Sequence, residues 1–358
     1  MTKPPPTSDS VGFVGVKRRA LALGIPMITY LELTHTCNWR CSYCYNARRF
    51  DMNPLMREEW VRVLDELRVL GTLTLVLTGG EPLVHADFFE IAGAARERAF
   101  ALKVFTNGSL VTEGIARQLA DLRPQAVELS LHGATAATHD RSTGRLGAFD
   151  AMWRGVDRLA RVGVTIMLKT TLTRLNETEL DEIIALAARR GLPLRIDPTV
   201  TPRTDSDRSP LRCAPSRQGV ERLMARLEEQ GELPTVTRAE GGTNCGVGQL
   251  TMAIDPEGDV FPCIQWRRSA LGNVRSTPLT QLWRTSSVRK EAADIARDAN
   301  KMIMSLGGAA AGFPYCPALA EMLTGDPLKP HDEFLENAEA ARVAVRRRLA
   351  QIPPEGRG

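Results

Sequence analysis

Three of the chain's seven cysteines stand close together in LELTHTCNWRCSYCYN, residues 31–46. Cys37, Cys41 and Cys44 have three residues and then two between them. Cysteine thiolates are the normal ligands of a [4Fe–4S] cube. Three closely spaced thiolates hold three irons and leave the fourth open to an exchangeable ligand, which is what reductive chemistry on a sulfonium needs. A zinc site with the same residues asks for a fourth ligand, usually a Cys or His further along. His35 is nearby, two residues before Cys37, but gives no typical zinc spacing. Cys213, Cys245, Cys263 and Cys316 lie outside this stretch. Four thiolates fully ligate one further cube or one zinc ion.

Other residues suited to chemistry follow the ends of apolar runs. Thr78-Gly79-Gly80-Glu81-Pro82 sets a carboxylate beside two glycines. Glycine lets backbone approach a ligand closely, and the carboxylate can pair with an ammonium. Thr106-Asn107-Gly108 is a turn sequence, open between lining the site and setting the next helix. Ser130-Leu131-His132-Gly133 offers a hydroxyl and an imidazole; His132 is open between facing substrate and supporting the site. Lys169 is open between a ligand contact and a solvated strand end. Arg195 and Asp197 are two apart, so they share a face of a strand, where charges must be paired or solvated over a cavity. Arg203 and Asp205 fall in the segment 200–212, which has the composition of an exposed loop.

The elements that must position these groups alternate. Strands are expected at 28–33, 72–77, 101–105, 126–131, 164–169 and 194–197, with helices near 56–70, 87–99, 112–122, 146–162 and 177–190. Trp60, Val63, Leu64 and Leu67 recur at helical spacing, and the acidic residues at 177, 179, 181 and 182 suit a helix N-terminus. Repeated βα units imply a parallel sheet under helical cover, and six of them a partial rather than a closed barrel. A linker helix is expected at 216–230, then a hairpin from Gln249–Ile254 through Asp255-Pro256-Glu257-Gly258 to Asp259–Cys263. Residues 331–350 read as a final helix. The segments 1–12 and 351–358 read as disordered.

Composition narrows the class. A 358-residue chain with 43% apolar and 25% charged residues is globular, and a net charge of +4 is no nucleic-acid signal. An odd number of cysteines outside a small secreted framework implies a reducing compartment, taken as the cytoplasm. Neither a signal peptide nor a membrane span is expected.

Cys37-x-x-x-Cys41-x-x-Cys44 with the aromatic Tyr43, GGEP at Gly79, Gly80, Glu81 and Pro82, TNG at Asn107, and Ser130 together resemble the radical S-adenosylmethionine (SAM) superfamily. The resemblance implies an α/β fold, a partial (β/α)6 TIM-like barrel, with the active site at the C-terminal ends of its strands. It implies a SAM pocket that includes Tyr43, the GGEP turn, Asn107, Ser130 and Lys169. His139-Asp140 through Arg145 resembles that family's HDxxRG stretch and implies loop ordering. Arg203 and Asp205 resemble the PRxDG element of peptide-modifying relatives, with Ser in place of Gly, and imply substrate binding or gating beside Arg195. Cys245, DPEGDVFPC, LGNV and Cys316 resemble the SPASM or twitch auxiliary domain, which implies a small α+β domain and one auxiliary [4Fe–4S] cluster held by Cys245, Cys263 and Cys316, with Cys213 the less secure fourth. The expected boundaries are 1–24 for the N-terminal segment, 25–212 for the barrel, 213–330 for the auxiliary domain and 331–358 for the C-terminal helix and tail.

The family's chemistry is reductive cleavage of SAM to a 5'-deoxyadenosyl radical that abstracts a substrate hydrogen. The resemblance implies modification of a ribosomally made peptide by crosslinking or two-electron oxidation, or alternatively dehydrogenation or skeleton chemistry on a small molecule such as a sugar or tetrapyrrole. Implied partners are an external low-potential donor such as flavodoxin or ferredoxin and a separate leader-peptide-binding protein.

Overall fold

The computed structural model describes residues 13–351 apart from Arg48 and Thr237; the expectations for 1–12 and for the tail beyond 351 lie outside the described residues. After helix α1 (Phe13–Leu23) come strands β1 (Ile28–Glu32), β2 (Thr74–Thr78), β3 (Ala101–Thr106), β4 (Ala126–Ser130), β5 (Ile166–Thr171) and β6 (Leu194–Asp197). They pair in chain order and all in parallel. Between them run α2 (Arg57–Leu70), α3 (Phe88–Glu97), α4 (Glu113–Asp121), α5 (Ala136–Thr143), α6 (Ala148–Arg161) and α7 (Leu180–Arg189). This is the expected partial barrel.

Local sequence explains the elements. In α2 the Glu59 side chain accepts from the Met56 backbone N–H at 2.8 Å, Gly71 closes the helix at φ 84°, and Trp60, Val63, Leu64 and Leu67 are buried. That is the Glu half of a capping box, a left-handed C-cap and an apolar stripe in one helix. In β3, Leu102 and Val104 pack under the helices while Lys103 and Phe105 face the barrel interior. The alternation of period two sets the core side and the working side of every strand.

Beyond α8 (Arg217–Gln230), strand β7 (Thr251–Ile254) pairs in parallel with β1, Ile28 opposite Thr251 and Leu31 opposite Ile254. Then β8 (Asp259–Phe261) and β9 (Gly272–Asn273) add antiparallel edges, giving the order β6-β5-β4-β3-β2-β1-β7-β8-β9. The expected hairpin is therefore present, and it extends the barrel's own sheet. Helices α9 (Leu279–Thr285), α10 (Ser287–Leu306), α11 (Gly308–Ala311), α12 (Pro317–Thr324) and α13 (Asp332–Gln351) follow. The sequence reading missed α10, whose buried face is mostly alanine at positions 292, 293, 296 and 299, a weak apolar signal. Among the described residues no helix is long and apolar enough to cross a membrane.

Candidate active site at the ends of the barrel strands

The loop carrying Cys37, Cys41 and Cys44 leaves the C-terminal end of β1, and the neighbouring strands hold it from their own C-terminal ends. From β2, the Gly80 N–H donates to Thr34 O at 2.6 Å and the Glu81 N–H to Thr36 O at 2.9 Å. A Cβ at Gly79 would stand 2.3 Å from Thr34 O, and one at Gly80 2.2 Å from Thr36 O. The glycines were expected to admit a ligand; in the structure they admit the backbone of the cysteine loop. From β3, Asn107 Nδ2 donates to Asn38 Oδ1 at 2.7 Å, and Asn38 Nδ2 to Ser109 Oγ at 2.8 Å. From α5, the carbonyls of Thr143 and Ser142 accept from the N–H groups of Arg40 (2.9 Å) and Ser42 (3.1 Å). Asp140 caps the next helix through the N–H groups of Gly147 (2.6 Å) and Phe149 (2.9 Å), the loop-ordering role expected of that stretch.

Beyond β6, Arg203 is 2% exposed; its guanidinium donates to Cys44 O at 2.8 Å and pairs with Asp207 at 3.0 Å. Arg203, expected at a gating loop, thus fastens the last cysteine of the motif. Asp205 is exposed and its carboxylate accepts from the Asp207 N–H at 3.1 Å, a turn-capping contact.

Glu81 is buried, with Oε1 accepting from Thr106 Oγ1 (2.6 Å) and the Leu83 N–H (3.2 Å), and Oε2 from the Asn107 N–H (2.7 Å). Burial pushes its carboxyl up to about 7 against those hydrogen bonds. A carboxylate has about four acceptor positions, so capacity for an ammonium remains. Tyr43 lies with its ring 4.5 Å from that of His132, centroid to centroid. Burial holds His132 well below the ordinary imidazole range, so it is neutral, and its main-chain N–H donates to His139 Nδ1 at 3.1 Å. His132 takes the supporting place behind the cysteine loop. Ser130 ends β4 opposite Lys169, and Lys169 lies opposite Arg195. Lys169 is not a lone cation: it pairs with Glu128 at 2.6 Å and sits 3.5 Å over the Phe105 ring.

The second set of thiols is assembled from distant segments. Cys245 precedes β7, Cys263 follows β8 and Cys316 caps α12. All three pack against Val247, Trp266, Ala292, Ala296 and Ala318, so α10 supplies one wall. Asn244 Nδ2 donates to Tyr315 O at 2.7 Å, and Arg238 donates to Asn244 Oδ1 at 2.8 Å and Phe313 O at 2.9 Å. Cys213 ends a short turn at Ser209–Cys213, where its carbonyl accepts from the Arg174 N–H at 3.0 Å, and it is not packed into this group.

The segments that carry the two thiol sets touch along the β1–β7 seam. His35 Nε2 lies 3.1 Å from Glu257 Oε2 in the β7–β8 turn, and His35 Nδ1 lies 3.1 Å from Asn46 Oδ1. Arg49 joins Glu257 at 3.1 Å. Arg267, just past Cys263, reaches buried Glu32 on the inner face of β1. Sequence reasoning missed these pairs; those of His35 and Arg49 with Glu257 and of Arg267 with Glu32 join segments more than two hundred residues apart, and no local signal marks them.

The donor chemistry fits iron–sulfur clusters. None of the seven cysteines is in a disulfide. Burial pushes Cys37 and Cys245 up to about 11 and Cys316 up to about 12, so these are thiols that a metal would have to deprotonate.

Comparison with known proteins agrees. The family model described as Radical SAM superfamily matches residues 31–187, and SPASM, an iron-sulfur cluster-binding domain, matches 245–305. The chain is 31% identical to mycofactocin maturase MftC of Mycobacterium tuberculosis over 75% of this chain and 73% of that protein. Against MftC of Mycolicibacterium smegmatis the identity is also 31%, over 67% of this chain and 65% of that protein, so it spans just under two thirds of that relative. It is 28% identical to the AdoMet-dependent heme synthase of Methanosarcina barkeri over 85% of this chain and 95% of that protein. The fold matches anSMEcpe with bound AdoMet at a TM-score of 0.68 and 16% identity, covering 92% of this chain and 97% of that one.

Proposed function

The chain belongs to the radical SAM superfamily and carries a SPASM domain, and from that premise we propose that it modifies a ribosomally made peptide by crosslinking or two-electron oxidation. When bound, the first cluster and SAM supply the hydrogen-abstracting carbon radical, and the auxiliary cluster an electron acceptor. The protein's part is position and shielding. Cys37, Cys41 and Cys44 would ligate the first cluster. Tyr43, the Gly79–Pro82 turn, Asn107, Ser130 and Lys169 would form the SAM pocket, with Glu81 accepting from the amino group. Cys245, Cys263 and Cys316 would ligate the auxiliary cluster. Arg195 faces substrate; Asp205 stands at the outer loop.

One observation carries the reading: the CxxxCxxC loop is fastened at the strand ends and shares a continuous sheet with the second thiol set. The peptide substrate is supported by the maturase name of relatives at 31% identity. A low-potential flavodoxin or ferredoxin would reduce the first cluster, a separate protein would bind the leader, and the cytoplasm is the compartment. The tetrapyrrole alternative has its own support, because the heme synthase match spans 95% of that protein. The test is mass spectrometry of candidate precursor peptides and iron coproporphyrin after incubation with reduced enzyme and SAM. A peptide mass lower by about two hydrogens, with 5'-deoxyadenosine formed, is expected. Turnover of the porphyrin with no change in any peptide would overturn the peptide reading.

A further inference from the structure

Two guanidinium groups belong to the segments that carry the late cysteines, and their charges are met differently. Arg267, just past Cys263, donates to Ile264 O at 3.1 Å, lies 4.5 Å over the Phe261 ring and ends on the buried carboxylate of Glu32. Its charge is matched inside the protein. Arg238 has no such match. Its guanidinium donates to Asn244 Oδ1 at 2.8 Å, Phe313 O at 2.9 Å and Ala311 O at 3.1 Å, all neutral acceptors. Among the described residues it pairs with no carboxylate, and its Nε is buried without a hydrogen-bond partner. A half-buried cation in such a place is costly unless an opposite charge repays its lost hydration.

The contacts of Arg238 fix where that opposite charge belongs. Asn244 immediately precedes Cys245, and its Nδ2 donates to the carbonyl of Tyr315, the residue before Cys316, at 2.7 Å. Nη2 of Arg238 donates both to this Asn244 side chain and to Phe313 O. One nitrogen therefore joins the segment entering Cys245 to the segment entering Cys316. The side chains packed around these two cysteines and Cys263 are Val247, Trp266, Ala292, Ala296 and Ala318, none of them charged. Burial pushes the Cys245 thiol up to about 11, and Arg238 acts in the opposite sense, toward the thiolate.

We propose that Arg238 is the counter-charge of the auxiliary cluster, a positioning residue that favours its reduced form. Iron–sulfur potentials respond to net charge, hydrogen bonding and exposure around the cluster. Arg238 would offset the single negative charge added when an electron given up by the substrate arrives, whereas the Arg267–Glu32 pair is already neutral. This rests on the reading of Cys245, Cys263 and Cys316 as cluster ligands and names what makes that cluster an electron acceptor.

The test is a redox titration followed by electron paramagnetic resonance on anaerobically reconstituted full-length protein. Cys37, Cys41 and Cys44 are replaced with alanine in every sample, so that only the auxiliary cluster is read. At the midpoint of this parent protein, Arg238→Gln should lower the ratio of reduced to oxidised cluster about tenfold, a shift of about 59 mV to lower potential. Arg238→Lys keeps the charge and loses the planar fork of hydrogen bonds, and it should stay within about threefold of the parent. Iron per chain shows whether each variant holds its cluster. Loss of iron from Arg238→Gln alone, with Arg238→Lys at the parent's iron content and potential, also upholds the counter-charge. No shift in Arg238→Gln, an equal shift in both variants, or loss of iron from both would overturn it, the last two by showing that the hydrogen bonds and not the charge matter. A parent protein without iron would overturn the auxiliary cluster itself, and the role of Arg238 with it, before any potential is read.

Discussion

The two thiol sets solve one ligation problem in opposite ways. Cys37, Cys41 and Cys44 come from eight consecutive residues and would already be neighbours in an unfolded chain. The protein then fixes that loop with hydrogen bonds from β2, β3, α5 and the segment after β6. Cys245, Cys263 and Cys316 are brought together only when the β7–β8 hairpin docks on β1, α10 lies against it and Asn244 ties down Tyr315. The first set should be robust as a ligand triad but sensitive in its exact placement. The second depends on folding for its existence.

The largest effect should come from the ligands themselves. Wild type with two cubes should hold about eight irons. Replacing Cys37, Cys41 and Cys44 with alanine should abolish 5'-deoxyadenosine formation while the auxiliary cluster remains, as read by iron assay and liquid chromatography. Cys316→Ala should do the reverse, taking iron to about four with SAM cleavage retained. Cys213→Ser should leave iron content at the wild-type level; a fall to about four would make it a ligand after all.

Arg203→Ala should come next. It removes a buried charged donor from Cys44 O and should cost about 2 kcal/mol, with a broadened electron paramagnetic resonance signal from the first cluster alone. If both clusters changed equally, the separate anchoring of the two sets would be refuted. Glu257→Ala opens the contact between His35 and the hairpin turn. That carboxylate is partly exposed, so the loss should be about 1 kcal/mol in thermal or denaturant unfolding.

The smallest effect concerns pH. Burial raises the Glu81 carboxyl to about 7, and an ammonium favours its ionised form. SAM affinity should therefore increase as pH rises toward about 7 and level off above it, by a few-fold. Glu81→Gln should flatten that profile in equilibrium binding. An unchanged slope in the variant would mean that another group sets it.

Much of this was legible in the chain. The strand and helix order, the CxxxCxxC loop, the hairpin and its flanking cysteines are marked by local patterns of one or two turns of chain. The roles of individual residues were less so. Gly79 and Gly80 were read as room for a ligand, yet their missing Cβ atoms make room for Thr34 and Thr36. Lys169 suits either a ligand contact or a solvated strand end by sequence, and the structure adds what neither includes, a pairing with Glu128 on the next strand. Arg203 was noticed in the right loop, but its burial against Cys44 O depends on a contact spanning 159 residues.

By itself, then, the sequence determined the first ligand triad and the barrel, because both arise from short-range spacing: thiols within one loop, and side chains alternating along a strand. The tertiary structure alone decided that β7 joins β1, that Cys245, Cys263 and Cys316 pack against one apolar cluster, and that Arg203 reaches Cys44 O. Those facts depend on which distant surfaces bury one another, and no local spacing encodes them.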